Sequence, residues 1–133
     1  MNGSVEDEFL PVLINIETAI LAVYREHPEL ADYQVESALE LLTRTYAGEA
    51  KNKPASIPKS PLAQEVYQVV KAICDWQLGR ENLVDEEGQP IHLQLLTRDE
   101  ILAVLKRLRK SVQFWNKESG SQGYLKYIKQ FIP

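Results

Sequence analysis

Ile101, Leu105, Leu108, Val112 and Trp115 recur at alternating steps of four and three, the spacing that lines large apolar side chains along one stripe of an α-helix. Directly ahead of them stands Thr97-Arg98-Asp99-Glu100. This is a capping box, in which the threonine oxygen takes an amide of the first turn and the glutamate reaches back to the threonine amide. A helix is therefore expected from this point to about Ser119. A helix with a single apolar stripe must be covered by other elements, and the remaining sequence supplies mostly helices to do so.

Ser60-Pro61 opens another, with serine as N-cap and proline in the first turn, where its missing N–H costs little. Leu62, Val66, Val69, Val70, Ile73 and Trp76 form its stripe, with Gln64, Gln68, Lys71 and Asp75 opposite. Asp32 reads as the N-cap of a helix running to about Ala47, with Val35, Ala38, Leu39, Leu42 and Tyr46 facing inward. Between Pro11 and Glu26, the residues Val12, Leu13, Ile16, Ala19, Ile20, Val23 and Tyr24 share a wide arc, with Ile14 and Leu21 at its margin. So broad an arc fits a helix packed by several neighbours. Glu6 to Leu10 reads as a short preceding helix that Pro11 ends or kinks.

Two stretches break helical period. Gly48 to Ser60 holds three lysines, two prolines and a single large apolar residue, Ile57, and reads as a flexible linker. Leu83-Val84 and Pro90 to Leu93 flank an acidic glycine turn, the pattern of a short hairpin. After Gly120-Ser121-Gln122-Gly123, a terminal helix carries Tyr124, Leu125, Tyr127, Ile128, Phe131 and Ile132 on one side. The expected fold is all-α: a helical bundle of four longer helices plus a short C-terminal helix, with a small β-hairpin around residues 83–93 and a linker at 48–60, in one domain over 1–133.

Composition narrows the function more by exclusion than by indication. At 44% apolar and 26% charged, the chain is an ordinary globular one. No apolar run approaches the ~20 residues of a membrane span. The opening Met1 to Glu8 is acidic where a secretory signal is basic, so a cytoplasmic protein is expected. Cys74 is the one cysteine, which excludes an internal disulfide and a cysteine zinc cluster, and it lies at the edge of an apolar stripe. His27 and His92 stand far apart, belong to no metal-ligand motif and have no nucleophile elbow to serve. Asp85, Glu86 and Glu87 lack the alternating ligands of a calcium loop, and no glycine-rich phosphate cradle follows a strand. No catalytic residue, metal ligand or cofactor site is assigned. An enzyme would require a deep pocket with perturbed carboxylates around Glu17, the one acid on the flank of the first helix's apolar arc.

Charge is the informative signal. Residues 1–50 carry ten acids and two bases, while residues 51–133 carry nine acids and thirteen bases. Lys106, Lys110 and Lys117 fall within about 40° of one another on a helical wheel. Arg107 and Arg109 lie to either side, and Phe114 stands among them, off the apolar stripe. In one arrangement this is a solvated face, with the terminal helix covering Phe114. In the other it binds an acidic partner. A protein partner fits better than nucleic acid, because the whole chain is acidic, with a pI of about 5.2. A chain with opposite charge at its two ends can also pair with itself as a homo-oligomer. Nucleic-acid binding through the same helix is the alternative.

Leu105 to Lys117 (LKRLRKSVQFWNK) and Gly123 to Ile132 (GYLKYIKQFI) resemble a segment of small uncharacterised helical proteins of cyanobacteria. The resemblance covers the C-terminal segment only. It contains no catalytic motif, assigns no site residue, and implies a bacterial cytoplasmic protein.

The sequence thus reads as a non-enzymatic interaction or regulatory module. Its expected partner surface is Lys106, Arg107, Arg109, Lys110, Phe114 and Lys117, joined by Tyr124 and Tyr127 from the terminal helix.

Overall fold

A computed structural model of the chain describes residues 4–48, 58–79, 86–89 and 96–132, with side chains from Pro11 onward. The described residues form five α-helices and no strand: α1 (Ser4–Glu26), α2 (Asp32–Ala47), α3 (Pro61–Gln77), α4 (Arg98–Ser119) and α5 (Gly123–Ile128). The fold is all-α, with four long helices and a short C-terminal one, as expected. Both arms of the expected hairpin and residues 49–57 of the expected linker lie outside the described residues, whereas residues 86–89 form a turn. None of the described helices is long and apolar enough to cross a membrane.

α2 packs against both α3 and α4, α1 packs against α3, and α5 lies on α4 with further contacts to α1 and α2. The inward residues expected of α2, Val35, Ala38, Leu39, Leu42 and Tyr46, are all buried. On α4, Ile101, Leu105, Leu108 and Val112 are buried together with Val104, and Trp115 packs at the edge of the core. Each large aliphatic side chain removed from water contributes roughly 1.5–3 kcal/mol, so this shared core is the main stabilising term.

Three local expectations are corrected. Pro11 neither ends α1 nor separates it from the acidic turn, since one helix runs through it from Ser4 to Glu26. An interior proline costs about 3 kcal/mol, and the apolar arc that begins at Val12 offsets that loss by burial. On α3 the buried line is Ala63, Val66, Tyr67, Val70, Cys74 and Gln77, while Leu62, Val69 and Ile73 sit at its margin. Because α3 touches both α1 and α2, its buried line follows the seam between those neighbours and not the centre of its own apolar stripe.

The third correction concerns Asp32. The N-cap of α2 is Ala31, and Asp32 occupies the first turn, fully buried. Its carboxylate accepts from the Tyr24 hydroxyl at 2.6 Å and from the Tyr124 amide at 2.8 Å, at the start of α5. The Asp32 amide donates in turn to the Ser121 carbonyl at 2.7 Å. Asp32 therefore satisfies the open N-terminus of a different helix, where a negative charge is electrostatically favoured. Two residues on, Gln34 accepts from the Ala31 amide and donates to Ser60, the N-cap of α3. The first turn of α2 thereby ties together the starts of three helices.

Close approach finishes the seating of α5. A Cβ added at Gly123 would fall on the backbone carbonyl of Trp115, so only glycine lets the start of α5 lie against the end of α4. With α5 held in this way, the terminal helix docks on its own chain.

Candidate functional site

The outer side of α4 divides into two edges. On the edge towards α2, Arg109 lies 3.9 Å from Glu36, and Gln113 donates to the same carboxylate at 2.6 Å. Arg109 is thus engaged within the bundle on one side and remains partly exposed on the other. Lys106, Lys110 and Lys117 point outward and are exposed. On the edge towards α5, Arg107 and Ser111 share a cavity wall with Tyr127.

Phe114 is 53% exposed, so the terminal helix does not cover it. Its ring meets Trp115 edge-on, with centroids 4.9 Å apart. Trp115 stacks on Tyr127 at 4.8 Å, and Tyr127 meets Phe131 edge-on at 5.1 Å. Four aromatic rings therefore run in sequence from α4 across α5, and the two at the ends are about half exposed. Ile14 on α1 is exposed to a similar extent. Isolated exposed apolar residues are ordinary, but an aromatic run beside a basic helix edge has the composition of an interface core.

Tyr124 does not belong to this surface. It is completely buried, and its hydroxyl donates to Glu17 at 3.1 Å. Burial and the adjacent Glu17 carboxylate push its phenol well above the usual range. The Gly123 contact rolls α5 so that Tyr124 and Ile128 face the core, whereas Tyr127 and Phe131 face the rim.

Glu17 itself lies on the wall of a cavity of about 210 Å³ formed by α1, α4 and α5. Leu13, Ile14, Leu108, Tyr127 and Phe131 supply apolar walls, with Arg107 and Ser111 from α4. Burial raises the Glu17 carboxyl above its ordinary value of 4.5, against smaller lowering effects of the Tyr124 hydroxyl and the Arg107 charge. Among the described residues Tyr124 is its one hydrogen-bond donor. Glu17 is the one carboxylate among the described residues that lines this cavity. The other raised acid among them, Asp32, faces the start of α5 and does not line the cavity.

Two further groups bear on chemistry. Cys74 is fully buried, and desolvation pushes its thiol up to about 12, so it is an inert packing residue near neutral pH. Glu26, His27 and Glu65 bring three potential ligand atoms within 4.8 Å of one another. That grouping joins α1 to α3 and could not be read from linear spacing. His27 lies 3.1 Å from Glu65 at a surface where Glu26 is exposed and Glu65 half-buried, and exposed acidic groups are common without an ion.

The Glu17 cavity was legible only in part. Its signal was an acid on the margin of an apolar arc, whereas Tyr124, Tyr127 and Phe131 come to it from the far end of the chain. Against this geometry, a scan of protein-family models, a search of curated proteins and a search of solved structures each find no match to the chain.

Proposed function

We propose that the protein is a non-enzymatic, cytoplasmic interaction module that docks an acidic protein segment on the α4–α5 surface. The observation that carries this reading is the continuous run of Phe114, Trp115, Tyr127 and Phe131 beside the exposed bases of α4. Aromatic groups supply apolar contact area at small entropic cost, and the bases steer and orient an acidic partner. Lys106, Arg107, Lys110, Phe114, Lys117 and Tyr127 form the surface. Arg109 borders it beside Glu36, and Tyr124 supports it from within the fold.

The test uses peptides selected for binding to the immobilised protein. Enrichment of acidic sequences with apolar anchors is expected. Their binding should be lost to the combined variant Lys106→Glu, Lys110→Glu and Lys117→Glu, whose melting temperature stays near that of the parent because all three residues are exposed. Unchanged binding by the folded triple variant overturns the assignment. Steeply salt-dependent binding of single- or double-stranded nucleic acid, lost to the same variant, would instead establish the alternative partner class.

A further inference from the structure

We propose that the cavity beside Glu17 receives one phenol ring, the side chain of a tyrosine carried by the acidic partner segment. The partner's identity as a protein rests on the docking reading above. The chemistry of the cavity stands on its own geometry.

Size comes first. A dry cavity of ~150 Å³ accepts benzene, so about 210 Å³ holds one six-membered ring with a substituent at its tip. The walls come next. Leu13 and Leu108 are buried aliphatic groups, and Tyr127 and Phe131 stand nearly perpendicular to each other, at 75°, along one side. Such walls offer both edges and faces to an incoming ring.

The polar groups then choose among rings. Glu17 is only 8% exposed, and Oε2 accepts from Tyr124. Oε1 has no donor among the described residues and is not shut off from solvent, so on the wall of this apolar cavity it is an acceptor open to a bound group. The cavity therefore suits a ligand that donates. A cationic donor is disfavoured, because the Arg107 guanidinium lines the same cavity and acts electrostatically on Glu17. A neutral hydroxyl on an aromatic ring meets both demands. It donates to the carboxylate, adds no positive charge, and buries its carbon skeleton against apolar walls. An acid flanking that tyrosine would lie beside Arg107 and the neighbouring lysines of α4.

The experiment titrates p-cresol and toluene separately into isotopically labelled protein and follows backbone amide shifts. Saturable shifts at Leu13, Glu17, Leu108 and Tyr127 are expected with p-cresol, with toluene at least about tenfold weaker, because a site that hydrogen-bonds a hydroxyl discriminates against the analogue lacking it. Ser111→Phe, which fills the cavity from α4 without touching the Glu17–Tyr124 bond, should abolish the p-cresol shifts. Glu17→Leu should equalise the two ligands. Equal binding of both by the parent protein, no binding of p-cresol, or p-cresol binding that survives Ser111→Phe overturns the proposal.

A second arm compares an acidic peptide containing one tyrosine with its phenylalanine counterpart. A tyrosine preference of the same order supports the partner as the source of the ring. Indifference to the exchange, alongside p-cresol selectivity, refutes that source and leaves a free phenol as the ligand. Salt-sensitive binding of both peptides without p-cresol selectivity would preserve the docking surface and sink the cavity assignment alone.

Discussion

Asp32 and Glu17 are both buried carboxylates, and burial raises both above their ordinary values. They differ in what answers the burial. Asp32 accepts from the Tyr24 hydroxyl on α1 and from the Tyr124 amide at the start of α5. Glu17 accepts from one tyrosine and lines a cavity. A buried acid surrounded by donors is a structural clamp, because removing it strands every donor it served. A buried acid with one donor and adjoining space is less use to the fold and more available to a ligand. The same residue chemistry thus carries two roles, separated by the count of donors.

Replacing Asp32 with alanine should have the largest effect. It strands the Tyr24 hydroxyl and the Tyr124 amide in the interior, each at ~1–3 kcal/mol, for a total loss of about 4 kcal/mol. Denaturant unfolding measures it. A loss below ~1 kcal/mol would show that α5 needs no cap, and the contrast with Glu17 would collapse.

Gly123→Ala attacks the same docking by steric means. Its Cβ meets the backbone of Trp115 and not a yielding side chain, so an overpacking loss of about 1–3 kcal/mol is expected in thermal melts. The Trp115 emission spectrum should shift as well, because displacing α5 alters its stacking on Tyr127 and its contact with water. An unchanged melt would mean that α5 shifts without cost.

Glu17→Gln should have the smallest effect and the opposite sign to Asp32→Ala. The amide oxygen still accepts from Tyr124, and the desolvated charge is gone, so stability at neutral pH should hold or rise by up to about 1 kcal/mol. The pH dependence sharpens the contrast. A carboxyl whose folded pKa is raised binds its proton more tightly in the folded state. Its contribution is therefore fully present below the unfolded value, near 4.5 for Glu17 and 3.8 for Asp32, and is lost as pH rises through the raised folded value. Parent stability should decline across that window, and Glu17→Gln should decline less. An identical pH profile in the two proteins would show that Glu17 is not desolvated.

Most of the helical framework could be read from local signals. The capping box at Thr97, the Ser60-Pro61 start and the stripe from Ile101 to Val112 each depend on residues within a few turns of one another. The structure places helix starts and buried residues accordingly. Reading failed where a local signal had a distant use. Asp32 has the chemistry of an N-cap and does serve one helix terminus, but that terminus belongs to α5. Arg109 looked like one more base on a positive face and also lies against Glu36 of α2.

By itself, then, the sequence determined that this chain forms helices, where α3 and α4 begin, and that positive charge and aromatic residues gather near its C-terminus. Those properties follow from short-range periodicity, capping and composition. Only the tertiary structure decided which acid clamps and which adjoins a cavity, which tyrosine of α5 is buried, and which bases remain outward. The bonds responsible join Asp32 to Tyr124 across 92 residues and Glu17 to Tyr124 across 107. Such pairings depend on how α5 rolls against α1, α2 and α4, a rotation set by the Gly123 contact and the shared core, and no local pattern encodes it.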